Sequence, residues 1–218
     1  MISSNDILVK SRNVILKMLE MRGYDVSDYK NFNLKEIENM IQNLGKKPNK
    51  TDPTPLDMKC NHMTTNHTVH VLYNFNSKLK IQNIETILNK MIEEDTIKDN
   101  DKVIILSKDT ISDEHEFDSQ LDALYKKMDN KYFTQVFTIE KLLINIMKHE
   151  LVPEHKIISE EQKRAMLKQF DISNFSQLPI ILKTDPVAKF LGMQRGDVCE
   201  ITKPSETAGE YVYYRYCQ

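Results

Sequence analysis

Cysteine is scarce in this chain. Cys60, Cys199 and Cys217 are too few and too scattered for a disulfide framework, which points to a reducing compartment. Long apolar runs are missing as well. No segment approaches the roughly 18 consecutive apolar residues of a membrane span, so no membrane partner is expected. The opening residues Met1 to Asp6 lack a basic stretch followed by an apolar run, so a secretory signal is not expected. No charge of one sign prevails: 30 Lys and Arg stand against 32 Asp and Glu, a formal net charge of −2. A protein that binds duplex DNA unaided ordinarily shows a basic excess, because neutralising phosphates releases counterions. Residues 147–218 repeat the balance, with ten basic and ten acidic residues. Glycine is also sparse, five in all. The pair Gly192 and Gly196 lacks the lysine and Ser/Thr that would make a phosphate loop. No internal repeat, low-complexity tract or catalytic signature stands out, and no cofactor or small-molecule substrate is expected.

What is present describes an ordinary folded protein: 40% hydrophobic and 28% charged residues over 218 positions. That length suits one large or two small domains with a real core. Ser4-Asn5-Asp6 can cap a first helix whose apolar face holds Ile7, Val14, Ile15, Met18 and Leu19, with Gly23 placed to end it. A second helix follows Asn33 on Leu34, Ile37, Ile41 and Leu44, stopped by Gly45 and Pro48. Residues 46–66, with Pro53 and Pro55, read as loop or linker. Then strand and helix signals alternate: a strand over 68–75, a helix over 81–97, a buried strand over 102–106, a helix over 117–128 and a strand over 132–138. This order favours helices packed on a largely parallel sheet. The expected fold is α/β, with preceding helices and a βαβαβ domain over 1–146 and a small α/β domain over 147–218. In the latter, Ser159 and Gln162 have capping-box spacing for a helix over 160–169. Residues 178–183 read as a short strand. Asp185-Pro186 starts a short helix that Gly192 ends, and strands over 198–202 and 211–217 flank a loop containing Ser205 to Gly209.

Several groups invite a chemical reading. Cys60, His62, His67 and His70 combine soft sulfur and imidazole donors of the kind zinc prefers. Their spacing fits no standard zinc pattern, and His67 and His70 point to opposite faces of an extended strand. Glu93-Glu94-Asp95 and Asp113-Glu114-His115-Glu116 could be imagined as hydrolytic sites, but they suit a helix end and a helix first turn. Arg195-Gly196-Asp197 is turn chemistry. In Tyr211 to Tyr216, period two sends Val212, Tyr214 and Tyr216 one way and Tyr211, Tyr213 and Arg215 the other. One face then belongs to the core and the other is a protein-contact surface, for which tyrosine and arginine suit.

The last seventy residues carry a dense, ordered string. It runs His149-Glu150-Leu151-Val152-Pro153-Glu154-His155, Leu178-Pro179, Asp185-Pro186-Val187-Ala188, Leu191-Gly192, Gly196-Asp197-Val198 and Pro204-Ser205-Glu206-Thr207-Ala208-Gly209. This string resembles the C-terminal assembly domain that eukaryotic RNA polymerase subunit 5 shares with its shorter archaeal counterpart. Met21-Arg22-Gly23-Tyr24 and the βαβαβ order look like the longer eukaryotic form. The resemblance implies a non-catalytic subunit of a DNA-directed RNA polymerase acting in transcription. Its C-terminal domain would dock on the largest subunit, among other polymerase subunits, and its N-terminal jaw would lie along downstream duplex DNA. Candidate interface residues are His149, Glu150, Leu151, Val152, Pro153, His155, Arg195, Tyr211, Tyr213 and Arg215. Lys108, Thr110 and Ser112 stand where the family has a Thr-Pro-Ser segment facing DNA, with the proline lost here. The abundance of Asn, Lys and Ile suits a large DNA virus or a protist lineage. Location would then be intracellular: the nucleus for a cellular protein, the cytoplasm or virion for a viral one. Two other classes compete: a metal-dependent nuclease, which needs paired carboxylates with a lysine, and a free-standing DNA-binding module.

Overall fold

Helix α1, Ser4–Met21, buries Leu8, Ile15, Met18 and Leu19 on one stripe, the pattern of an amphipathic helix. This is a computed structural model that describes residues 4–30, 32, 34–42, 54–75, 79–111, 113–205 and 209–218. The chain divides into two units, Met1–Ile144 and Asn145–Gln218. In the first, α1 closes with a left-handed turn. Gly23 has φ +86°, its N–H bonds to Glu20 O, and the Tyr24 N–H reaches back to Leu19 O, which satisfies carbonyls the helix would otherwise leave open. A Cβ on Gly23 would also come within 2.9 Å of His62 Nε2. A short helix α2, Ser27–Lys30, and helix α3, Leu34–Gln42, follow. Ile37 is buried as expected. Leu44, Gly45 and Pro48 lie outside the described residues.

Four strands, β1 Met58–Asn61, β2 Thr68–Asn74, β3 Lys102–Ser107 and β4 Phe133–Thr138, form a sheet in the order β1-β2-β3-β4. Strands β2, β3 and β4 run parallel and β1 is antiparallel to β2. Helices α4, Ile81–Glu93, and α5, Glu114–Lys127, are the crossovers. They bury Ile84, Leu88, Leu121 and Leu124 with Val103, Ile105 and Val136 of the sheet. The alternate residues Ile104 and Leu106 are buried too, so β3 is covered on both faces, which explains its unbroken apolar run. On that second face Tyr73 lies beside Arg12 of α1. The loop expected over 46–66 is corrected here: Met58–Asn61 is a strand, with Met58 and Cys60 buried and Lys59 and Asn61 exposed. Two apolar positions are too short an alternation to announce a strand. The helix expected over 81–97 stops at Glu93, because Asp95 takes φ 52° and Thr96 N–H bonds to Met91 O.

The second unit holds β5 Glu154–Ile157, β6 Ile180–Ile181, β7 Val198–Ser205 and β8 Gly209–Cys217, in the order β5-β7-β8-β6. Helix α6, Glu160–Gln169, starts with the capping box of Ser159 and Gln162, a device whose capping residue contributes about 1 kcal/mol. Helix α7, Pro186–Leu191, has Asp185 accepting from the Val187 and Ala188 amides, and Gly192 at φ 74° behind it. Lys163 of α6 is buried and its Nζ donates to Glu160 Oε1 at 2.6 Å and to Gly196 O at 3.0 Å, fixing α6 to the turn before β7. Two small cores result. Ile181, Ala188, Met193, Cys199, Ile201 and Cys217 make one, and Ile158, Met166, Leu178 and Val198 the other.

Candidate functional site

Strand pairing decides which side chains share a surface. Cys199 faces Arg215, Ile201 faces Tyr213 and Lys203 faces Tyr211 across β7 and β8, while His155 and Ile157 of β5 face Ile201 and Cys199. Directly paired residues point the same way. His155, Tyr211, Tyr213 and Arg215 therefore lie on one face, the side of the core containing α7's Ala188. The reading of one core face and one outward face is corrected: both faces are covered at their inner end. Tyr213 packs on the α7 core, and Tyr214 and Tyr216 pack on the α6 core. Helices stand on both sides of the sheet, and period two cannot reveal that. Burial instead grades along β8, from exposed Tyr211 and half-buried Tyr213 and Arg215 to buried Cys217.

The open end of the α7 face has a definite chemistry. Tyr211 and Tyr213 stack with ring centroids 5.6 Å apart, and Lys203 Nζ lies 5.5 Å from the centre of the Tyr213 ring. Arg215 Nε is closed off from solvent with no hydrogen-bond partner among the described residues. His155 Nδ1 donates to Pro153 O at 2.7 Å, which leaves Nε2 on the opposite side of the ring. On the α6 face, Tyr214 Oη donates to Glu200 Oε2 at 2.9 Å, and burial pushes this phenol up. Lys203 was not singled out from the sequence; pairing the two strands about their turn places it beside Tyr211.

The remaining candidates stand elsewhere. His149 to Val152 form a turn before β5, in which Val152 N–H bonds to His149 O and His149 Nδ1 accepts from Leu151 N–H. Leu151 is 84% exposed, a bare apolar knob. Arg195 is exposed in the turn before β7, where Asp197 Oδ2 accepts from Gln194 N–H. In the first unit Lys108 and Thr110 are exposed just past β3, and Ser112 lies outside the described residues. Cavities of about 370 Å³ and about 360 Å³ flank that loop. Asp109, Asp113, Glu116 and Glu140 border them, and among the described lining residues Lys108 is the cation.

Two histidines of the Cys/His group, His62 and His67, are held by structural bonds. His62 Nδ1 accepts from the Thr64 and Thr65 amides, so Nε2 carries the proton donated to Arg22 O at 3.1 Å. His67 bonds to Tyr24 Oη at 3.0 Å and to Thr65 Oγ1 at 2.7 Å. His70 points to the other face, 3.7 Å from Asp101. Burial pushes the Cys60 thiol up to about 11, which disfavours the thiolate a metal needs. Among the described residues no three His, Cys, Asp or Glu converge on a metal position. Asp113 caps α5 by accepting from Glu116 N–H at 2.9 Å. Glu94 follows the end of α4.

Comparison with known proteins matches the second unit and, for the eukaryotic relatives, nearly the whole chain. Residues 144–217 match the family described as RNA polymerase Rpb5, C-terminal domain. The subunit RPABC1 of DNA-directed RNA polymerases I, II and III from Caenorhabditis briggsae is 29% identical over 218 residues, 95% of this chain and 94% of the relative. The Dictyostelium discoideum counterpart is 29% identical over 214 residues, 96% of each chain. The RNA polymerase subunit Rpo5 of Pyrococcus horikoshii is 54% identical over 71 residues, 33% of this chain but 85% of the archaeal one.

Proposed function

This chain belongs to the Rpb5/Rpo5 family of DNA-directed RNA polymerase subunits, and from that premise we propose that it is a non-catalytic structural subunit that docks on the largest polymerase subunit. Residues 147–218 form the assembly domain in this reading, and residues 1–146 the jaw near downstream duplex DNA during transcription. The observation that carries the docking reading is the α7 face of the second sheet. It gathers Tyr211, Tyr213 and Arg215, residue types enriched where proteins bind proteins, with His155 beside them, in the unit that matches the family. The turn of His149, Glu150, Leu151 and Val152 with Pro153, and the exposed Arg195, supply further contacts. The jaw role rests on the length shared with the eukaryotic relatives. In this reading Lys108, Thr110 and Ser112 belong to the loop facing DNA, whose single cation among them would support at most a weak contact. The subunit works inside the cell, in the nucleus of a cellular source or in the cytoplasm or virion of a viral one.

Purification of the polymerase from its native source through a tag on this chain tests the reading. Retention of the largest subunit through a high-salt wash is the expected result. Recovery of the tagged chain alone, with the largest subunit intact in the flow-through, overturns it. The isolated chain is expected to bind duplex DNA only weakly; a steep salt slope typical of many phosphate contacts would favour a free-standing DNA-binding module instead.

A further inference from the structure

The second sheet sorts its charge by face. Register places His155, Lys203 and Arg215 on the α7 side, and Glu154, Glu200 and Glu210 with Lys156 on the α6 side. Among the described strand residues no carboxylate stands on the α7 side. On that side the guanidinium of Arg215 is incomplete: Nε is shut off from solvent and has no acceptor among the described residues. A buried donor without a partner is unfavourable, and at the border of an open surface an acceptor brought by a partner would relieve it. Beside it stand the stacked tyrosines and the ammonium of Lys203, an aromatic and cationic surface that is open at the hairpin end.

We infer that the α7 face takes an acidic, extended segment of the largest polymerase subunit, one carboxylate completing Arg215 and a second meeting Lys203, with Tyr211 and Tyr213 covering the apolar atoms between them. This rests on the docking reading above and gives it a partner chemistry. A planar guanidinium donates two parallel bonds to a carboxylate; the Arg215 side chain turns its covered Nε outward to meet it, and a side-chain carboxylate can reach such a half-buried group where a duplex phosphate cannot. Nucleic acid fits the surface less well. Among the described strand residues two permanent cations stand on that face, so counterion release would be small, and the three carboxylates of the opposite face repel phosphate nearby.

The test uses the full-length chain co-expressed with the tagged largest subunit, and reads the affinity between the two. Lys203→Glu/Arg215→Glu is expected to weaken docking roughly 100-fold, the scale of losing fully desolvated charge contacts. Glu154→Lys/Glu210→Lys, on the other face, is expected to change it less than about threefold, as rim charges do. Should Arg215→Glu fail the check of folding by circular dichroism, Lys203→Glu/Tyr211→Ala carries the test from exposed and half-buried positions, with a loss of roughly tenfold. Undiminished docking by the α7-face variants, or equal loss from both faces, overturns the inference while the docking reading stands. A wild-type chain that does not bind the largest subunit at all overturns both. If the α7-face variants lose duplex DNA binding and keep subunit docking, the face belongs to nucleic acid and the inference falls.

Discussion

Strands β3 and β8 each occupy an inner position of a four-stranded sheet, yet one is sealed and the other is not. Val103 to Leu106 of β3 are at most 1% exposed, while Tyr211 and Val212 of β8 are each 46% exposed. For one face of β3 the cause is the connection between strands. Parallel neighbours need a long crossover, and α4 and α5, with 13 and 14 residues, lie back over the sheet they link. Strands β7 and β8 form a hairpin, which brings no helix with it. The cover on their α7 side comes from a six-residue helix, enough for the inner rows only. The crossovers close the Val103 and Ile105 face, the other face is closed by elements such as α1, whose Arg12 lies beside Tyr73, and a hairpin brings no such cover to its outer end.

The sharpest way to break this comparison is to truncate both strands. Ile105→Ala should cost about 3 kcal/mol, as buried Ile→Ala changes do, whereas Tyr211→Ala should stay within about 0.5 kcal/mol. Urea denaturation followed by circular dichroism reads both, and similar losses would show that the two sheets are sealed alike. Next in size is Gly23→Ala, expected to lose about 2 kcal/mol through its left-handed backbone and the contact with His62. Adding His62→Ala should recover the contact part alone, so a full rescue would show that the backbone conformation carries no cost.

Acid should loosen the N-terminal unit. Burial lowers the pKa of His67 and, despite the nearby Asp101 carboxylate, of His70. Both are therefore easier to protonate unfolded, near the ordinary value of about 6.5. Their contribution to stability is complete above that value and is lost as pH falls through the lowered folded values. Thermal melting at stepped pH should show the decline, and His70→Gln should flatten it; an unchanged slope would remove His70 from the account. The smallest effects concern helix ends. Asp95, Asp129 and Asp171 hold φ 52°, 55° and 51° at the ends of α4, α5 and α6, and the following residues Thr96, Asn130 and Ile172 close the same backward bond as Tyr24. Glycine at each should stabilise by about 1 kcal/mol, since the left-handed conformation is strained for a residue with a side chain and a carboxylate opposes the helix dipole there. Three neutral results would mean that the aspartates are held by something beyond the turn.

Those aspartates also explain where the sequence was hard to read. Gly23 and Gly192 announce the ends of α1 and α7 because glycine is the usual residue for this turn, but aspartate is not, and the expected α4 ran on to Ile97. Ser159 with Gln162 and Asp185 with Pro186 were legible because their side chains bond locally. Strand β1 was not, since Met58 and Cys60 gain their meaning only from pairing with Val71 and Val69. For the candidate surface, period two sorted Tyr211, Tyr213 and Arg215 together. It could not tell that a helix would stand over each face, nor that Lys203 would join them. That information lies in the register between strands.

The outer part of the β7–β8 hairpin has a mechanical consequence. Strand β5 pairs with β7 as far as Thr202, and β6 pairs with β8 at Tyr216 and Cys217. Beyond Thr202, Lys203 to Ser205 pair only with Gly209 to Tyr211 among the described residues. The ribbon is there two strands wide, and such ribbons twist more freely than broader sheets. The surface thus stiffens from tip to root: the Arg215 row is clamped in the sheet, while the Tyr211 row can swivel. An arriving segment would meet a compliant lip first and a fixed seat second.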